Sequence, residues 1–106
     1  MIVRPATRAD FQAFYGELPS QTVKAWVAVE NDKPVGIGGY YLSGGMAVVF
    51  TDQRDMSKQD MVRGARALMA ELKKLGMEVV AGSDFPNAVI LKHFGFEPFG
   101  DYWRLA

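Results

Sequence analysis

The spacing of apolar and polar positions changes several times along the chain, and each change marks an element. Ile2-Val3-Arg4-Pro5 reads as a short strand closed by Pro5. Thr7 stands three residues before Asp10, the spacing of a capped helix start, with the acidic residue at the positive helix end. Phe11, Phe14 and Leu18 then recur at three and four, giving one apolar face that Pro19-Ser20 ends. Val23 to Glu30 is rich in β-formers and reads as a strand, Asn31 to Pro34 as a turn, and Val35 to Leu42 as the next strand. The glycines of that strand point to a bulge or a close backbone approach. Ser43-Gly44-Gly45 turns the chain again and Met46 to Phe50 returns, completing an antiparallel meander.

Thr51 to Ser57 is polar and reads as irregular. The helix that follows carries Met61, Ala65, Leu68, Met69, Leu72 and Leu75 on one face and stops at Gly76. Counting back from Gly76 puts its start near Ser57, with Ser57 and Asp60 as a capping box. Met77 to Ala81 is a strand and Gly82 to Pro86 a turn. A short helix runs from about Asn87, its expected cap, to Phe94, and Gly95 ends it. Phe96 to Pro98 and Tyr102 to Leu105 are terminal strands around Gly100-Asp101. The order read is βαβββαβαβ. It predicts one α/β domain over residues 1–106, with a mixed central sheet and helices on both faces.

Composition narrows the chemistry. The chain has 106 residues, enough for one hydrophobic core. Twelve basic and twelve acidic residues cancel, which argues against non-specific nucleic-acid binding, since no basic excess offsets phosphate charge. With no cysteine there are no disulfides, thiolate metal sites or cysteine nucleophiles, and one histidine makes a histidine metal cluster implausible. No apolar run approaches the ~20 residues of a membrane span, and Met1 to Pro5 lacks the apolar core of a signal peptide. The expectation is a cytoplasmic protein with no membrane, metal or nucleic-acid partner.

Three stretches carry a resemblance. Val3-Arg4-Pro5-Ala6-Thr7-Arg8-Ala9-Asp10 is similar to the first strand and helix start of the GCN5-related N-acetyltransferase (GNAT) superfamily. Ala25 to Glu30, followed by Pro34-Val35-Gly36-Ile37-Gly38-Gly39, resembles its second and third strands. Leu91-Lys92-His93-Phe94-Gly95-Phe96 resembles its late tyrosine-containing signature. In order and spacing the resemblance covers nearly the whole chain. It implies a GNAT-like fold in which acetyl-CoA lies in a V between Met46–Phe50 and Met77–Ala81. The pantetheine arm would pair with Val49, Phe50 and Thr51, and the pyrophosphate would sit at the start of the long helix, near Lys58, Arg63, Gly64 and Ala65. A helix N-terminus offers unpaired amides and partial positive charge to such a group.

The chain also departs from the family. The phosphate loop of the family has Gln or Arg, then glycine three residues on, then glycine or alanine two further on. Gln59, Val62 and Gly64 keep the ends of that pattern without the middle glycine, and Asp60, Arg63 and Ala65 keep only the last position. Asp52, Asp55 and Asp60 oppose a diphosphate, while Arg54, Lys58 and Arg63 favour one. Leu91 stands where many members carry a tyrosine that protonates the leaving thiolate. The short interval between the first two strands leaves room for one helix where the family has two, so the acceptor site is truncated or completed by another copy of the chain. The Thr51-Asp52-Gln53 loop, the Ser57-led helix and Ile90-Leu91-Lys92 resemble the small, compact GNAT-like proteins of short-tailed bacteriophages, virion-associated ones among them.

Individual side chains carry less. Tyr40 and Tyr41 can line an acceptor pocket, but alternation puts one in the core and one at the surface. Asp52 can act as a base, yet a loop aspartate is ordinarily solvated. His93 reads as a surface residue, Lys58, Arg63 and Arg66 as a solvated basic stripe that can also meet phosphates, and Trp103 and Phe99 as core cover or interface. Three functions follow. The first is an acetyl-CoA-dependent N-acetyltransferase acting on an unidentified small-molecule or protein amine by direct transfer. The alternative is a catalytically inactive GNAT-like structural or interaction protein of bacteriophage origin, forming a homo-oligomer. A third is an acyl-CoA sensor. No catalytic residue is named by the sequence.

Overall fold

A computed structural model describes residues 1–54, 56–83, 85 and 88–105. The elements are β1 (Ile2–Pro5), α1 (Arg8–Tyr15), β2 (Lys24–Glu30), β3 (Lys33–Ser43), β4 (Met46–Gln53), α2 (Lys58–Lys73), β5 (Val79–Gly82), α3 (Ala88–His93), β6 (Phe96–Phe99) and β7 (Tyr102–Leu105). The chain therefore ends in two strands, and the observed order is βαβββαβαββ rather than βαβββαβαβ. The Asn87 cap and the Asp84 and Pro86 turn positions lie outside the described residues.

All seven strands form one sheet in the order β1-β2-β3-β4-β5-β7-β6. β4 and β5 pair parallel, and every other pair is antiparallel. The β2–β3 turn places Asn31 and Asp32 at positive φ, a conformation these two residue types tolerate. β3 bulges at Val35, the extra residue between Pro34 and Gly36, opposite the Ala28–Val29 step of β2. Gly39 holds β2 close: a Cβ there would lie 2.1 Å from the Lys24 carbonyl oxygen.

Alternation along the strands divides the core into two clusters. On one face α2 and α3 set Leu68, Leu72 and Leu91 against Tyr40, Ala47, Val49, Val79, Ala81 and Phe96. On the other, α1 sets Phe11 and Phe14 against Ala25, Val27 and Ile37. Among the described residues no helix is long and apolar enough to cross a membrane.

The helix starts match their sequence signals more closely than the stops. Thr7 caps α1 in a complete capping box with Asp10. Ser57 caps α2, its hydroxyl accepting the Asp60 amide at 3.1 Å, but only this half of the expected capping box is formed, with no return bond from the Ser57 amide to the Asp60 carboxylate among the described residues. α1 ends earlier than its apolar spacing suggested: Gly16 at φ 78° closes it, and Leu18 lies beyond it, 47% exposed. The αL position at Gly16 satisfies a terminal carbonyl and stops the helix before Pro19 is reached.

Asp10 is the one buried charged side chain among the described residues. Arg4 of β1 grips it with both guanidinium nitrogens, at 2.7 and 2.8 Å, while the Thr7 amide donates at 2.7 Å. The Arg4 fork holds the Asp10 carboxyl down at about 2, against the opposing effect of burial and with further help from Thr7. A carboxyl whose folded pKa is depressed stabilises the fold above its ordinary value near 4, and that contribution is lost as pH falls toward 2. The urea midpoint of the native chain should therefore exceed that of Asp10→Asn by about 2 kcal/mol equivalent at pH 7. The gap should close between pH 4 and pH 2; a gap that stays constant over that window contradicts the assignment.

Candidate functional site

β4 is paired along its whole length on one side and only at its start on the other. It meets β3 from Met46↔Ser43 through Gln53↔Gly36. It meets β5 only at Ala47↔Val79, Val48↔Val80 and Val49↔Ala81. The Ala47 amide donates to the Glu78 carbonyl at 2.8 Å, whereas the Arg54 amide donates back to Val35 at 2.7 Å. With the two-residue alternation of a strand, Ala47, Val49, Thr51 and Gln53 aim their backbone groups at the β5 side, and Val48, Phe50 and Asp52 aim theirs at β3.

The next rung of the parallel ladder would join the Thr51 amide to the Gly82 carbonyl. That carbonyl accepts the Phe85 amide instead, at 3.1 Å, in the turn that ends β5. Beyond Val49 the backbone of Thr51 and Gln53 faces a gap with no strand partner among the described residues. The polar stretch after Phe50, read from sequence as irregular, is strand as far as Gln53.

α2 begins just past that edge. Ser57 uses its hydroxyl on the Asp60 amide and its carbonyl on the Met61 amide, 3.0 Å away. The Lys58 and Gln59 amides are left at the positive end of the helix. Lys58 is exposed, with Asp60 in the same turn opposing an anion. Arg63 and Arg66 are exposed further along, and Asp55 lies outside the described residues.

The other residues implied by the resemblance fall on different surfaces. Val49 is buried in the α2-side core and Phe50 packs against the α1-side core. Thr51, Gly64 and Ala65 line a small cavity of ≈ 70 Å³ between α2 and the sheet, with Trp26, Gly36 and Gly38. Met56 fills one end of it: a Cβ on Gly36 would collide with the Met56 sulfur. Gly64 sits inside the helix rather than in its entry loop, so its amide belongs to the helical ladder. Leu91 is 2% exposed in the α2-side core. His93 is exposed and meets the Phe94 ring edge-on at 4.9 Å.

The opposite sheet face carries a wider cleft of ≈ 330 Å³ between α1, the 16–23 loop and strands β3 and β4. Tyr41, Phe50 and Asp52 reach it from the sheet, Phe11 and Tyr15 from α1, and Glu17 from the loop. Tyr15 donates its hydroxyl to Asp52 Oδ2 at 2.5 Å, joining the helix to β4. Burial, then the Asp52 carboxylate, push the Tyr15 phenol well above its ordinary range, so it remains a neutral donor. Arg54 lies outside the cleft lining, stacked on the Phe14 ring at 4.6 Å and donating to the Phe14 carbonyl at 2.5 Å, with its charge still acting on the Tyr15 hydroxyl. Alternation separated Tyr40 from Tyr41 correctly: Tyr40 is buried in the core and Tyr41 lines the cleft. Tyr15 was missed, although its i,i+4 spacing from Phe11 put both rings on one helical face; the rings stack at 5.9 Å.

No protein-family model and no curated protein matches the chain. Among solved structures it is similar to the crystal structure of Eis1 from Mycobacterium abscessus, with a TM-score of 0.64 at 15% identity. The likeness covers 91% of this chain, which spans 32% of the Eis1 chain. At that identity it shows the fold alone, a GNAT-like one.

Gly64 offers a direct check on its place in the helix. Nothing lies within 4 Å of a Cβ built there. Gly64→Ala should therefore raise stability by about 0.5–1 kcal/mol, as alanine does in a helix interior. Urea unfolding reads this, and a lowered midpoint would place Gly64 in a strained or crowded site instead.

Proposed function

We propose that the chain is an acetyl-CoA-dependent N-acetyltransferase that transfers its acyl group directly to an amine. The open edge of β4 beyond Val49, in a GNAT-like fold, carries this reading. A pantetheine arm is extended and holds two amides, so it can complete the ladder at Thr51 and Gln53 as an added strand would. The pyrophosphate then reaches the start of α2, where the Lys58 and Gln59 amides and the Lys58 ammonium are its partners. Arg63 stands a turn or more along the exposed side of the helix, in reach of an outer phosphate only. Gly64 and Ala65 serve the cavity beneath α2 rather than the phosphates.

In the reaction a neutral amine attacks the thioester carbonyl, and the carbonyl oxygen gathers negative charge. A free strand amide is the donor such an oxyanion needs. Collapse breaks the carbon–sulfur bond, and the thiolate takes up the proton released by the nitrogen. No side-chain acid is required, because holding both reactants in line removes a large part of the barrier.

A second reading is favoured by Leu91. It is buried to 2% exposure where the resemblance carries a proton-donating tyrosine, and no solvent-facing hydroxyl replaces it on α3. On this reading the chain is a catalytically inactive GNAT-like structural or interaction protein, of the bacteriophage virion-associated kind, that associates with copies of itself.

Calorimetric titration with acetyl-CoA and CoA separates the two. Thr51→Pro removes one outward-facing amide at an edge that tolerates proline. Acetyl-CoA should bind the native chain and bind the variant at least ~10-fold more weakly, about 1.4 kcal/mol, with unfolding unchanged. Absence of heat at millimolar acetyl-CoA would rule out the acetyltransferase and leave the inactive protein.

A further inference from the structure

The cleft on the α1 face has a chemical character that the donor side does not explain. Its lining includes two carboxylates, Asp52 and Glu17, and no lysine, arginine or histidine. Phe11, Tyr15, Tyr41 and Phe50 supply aromatic surface, and Leu18, Pro19 and Val23 add apolar wall. Its ≈ 330 Å³ lies within the range of small-molecule sites. We propose that this cleft binds a small organic ammonium ion, a monoamine with a short apolar or aromatic body.

The two carboxylates are differently prepared for that task. Asp52 is fixed: Tyr15 donates to its Oδ2, which leaves Oδ1 with no hydrogen-bond partner among the described residues. Strand alternation aims this side chain to the α1 face from a β4 position whose backbone is committed to β3. Glu17, one residue past the Gly16 helix stop, is exposed and has no side-chain hydrogen bond or ion pair among the described residues. Arg54 is held on the Phe14 ring and carbonyl and makes no ion pair with Asp52 among the described residues, although its charge reaches the Tyr15 hydroxyl.

An ammonium placed between them gains a charge-assisted hydrogen bond from Asp52 and an attraction to the surrounding ring faces. A carboxylate of the same shape would meet two like charges. A neutral ligand would lose the charge term and keep only the apolar contact. Tyr15 acts through Asp52 as a positioning residue, since its hydroxyl stays protonated and so keeps one carboxylate oxygen turned toward the helix.

The proposal rests on the acetyltransferase reading only in making this amine the acyl acceptor. Phe50 and Asp52 face the cleft while Thr51, between them, turns its backbone to the open edge, so acceptor and donor would meet across one stretch of β4. Binding of the amine itself needs no acyl donor, and the two claims can fail separately.

The test uses 2-phenylethylamine, 2-phenylethanol and 3-phenylpropionate, titrated calorimetrically into the intact chain at pH 7 and low salt, without acetyl-CoA. The amine should bind at least ~10-fold more tightly than the alcohol, and the acid should not bind, as opposite-charge recognition in a partly enclosed site requires. Asp52→Asn and Glu17→Gln should each weaken the amine at least five-fold, with unfolding midpoints showing that both variants fold. Equal affinity for amine and alcohol, no loss in either folded variant, or no binding of the amine would each overturn the proposal. Amine binding in a chain that fails to bind acetyl-CoA would leave the cleft assignment standing and remove only the acceptor role.

Discussion

The partial pairing of β4 is the constraint around which the molecule is built. A strand bonded on both sides along its length offers no backbone to a ligand. β4 is bonded on both sides for three residues and on one side thereafter. The second ladder ends where the chain turns after β5, with the Phe85 amide bonded to the Gly82 carbonyl. Register makes the outcome definite. A one-residue slip of β4 would exchange its two faces and bury Asp52 in the α2-side core, so the apolar positions Ala47 and Val49 fix which amides look into the gap.

The two faces of the sheet have then been filled unequally. The α2 face is apolar and nearly closed, with Met56 seated against Gly36 and only a small cavity left under Gly64 and Ala65. The α1 face is covered by eight helical residues, and the chain from Gly16 to Val23 crosses the rest as a loop. One short helix cannot cover the area of β3 and β4 beside it, and the cleft with Tyr41, Phe50 and Asp52 is the remainder. The Arg4–Asp10 fork matters here because it anchors the start of that helix to β1, while the Tyr15–Asp52 bond anchors its end to β4.

Much of this architecture is legible in the sequence because its signals are local. Thr7 with Asp10 and Ser57 with Asp60 mark helix starts through contacts three residues apart. The meander is marked by Asn31-Asp32 and Gly44-Gly45, whose positive φ angles are written in residue type. The rest was hidden because it depends on distant partners. The polar run Thr51-Asp52-Gln53 carries no apolar alternation, yet β3 across from it makes it strand. Leu18 has the spacing of a helical face, but the αL turn at Gly16 wins over periodicity. Of the residues the resemblance brought to the donor site, Thr51 has the open backbone and Lys58 the helix entry. Val49 and Phe50 go into the cores, and Gly64 and Ala65 line the small cavity inside the helix face. The acidic cleft was missed as a unit, since Tyr15, Glu17, Tyr41 and Asp52 are scattered over four segments and only the fold assembles them.

The open edge of β4 can be observed amide by amide. In a ¹⁵N-labelled sample, the Thr51 and Gln53 amides should exchange with solvent much faster than those of Val48 and Phe50, which are bonded to β3. Adding acetyl-CoA should slow exchange at Thr51 and Gln53 and shift their resonances together with those of Lys58 and Gln59. Thr51 and Gln53 amides already protected in the free chain, or unmoved by millimolar acetyl-CoA while the rest of the spectrum is intact, would contradict the use of this edge for an acyl donor.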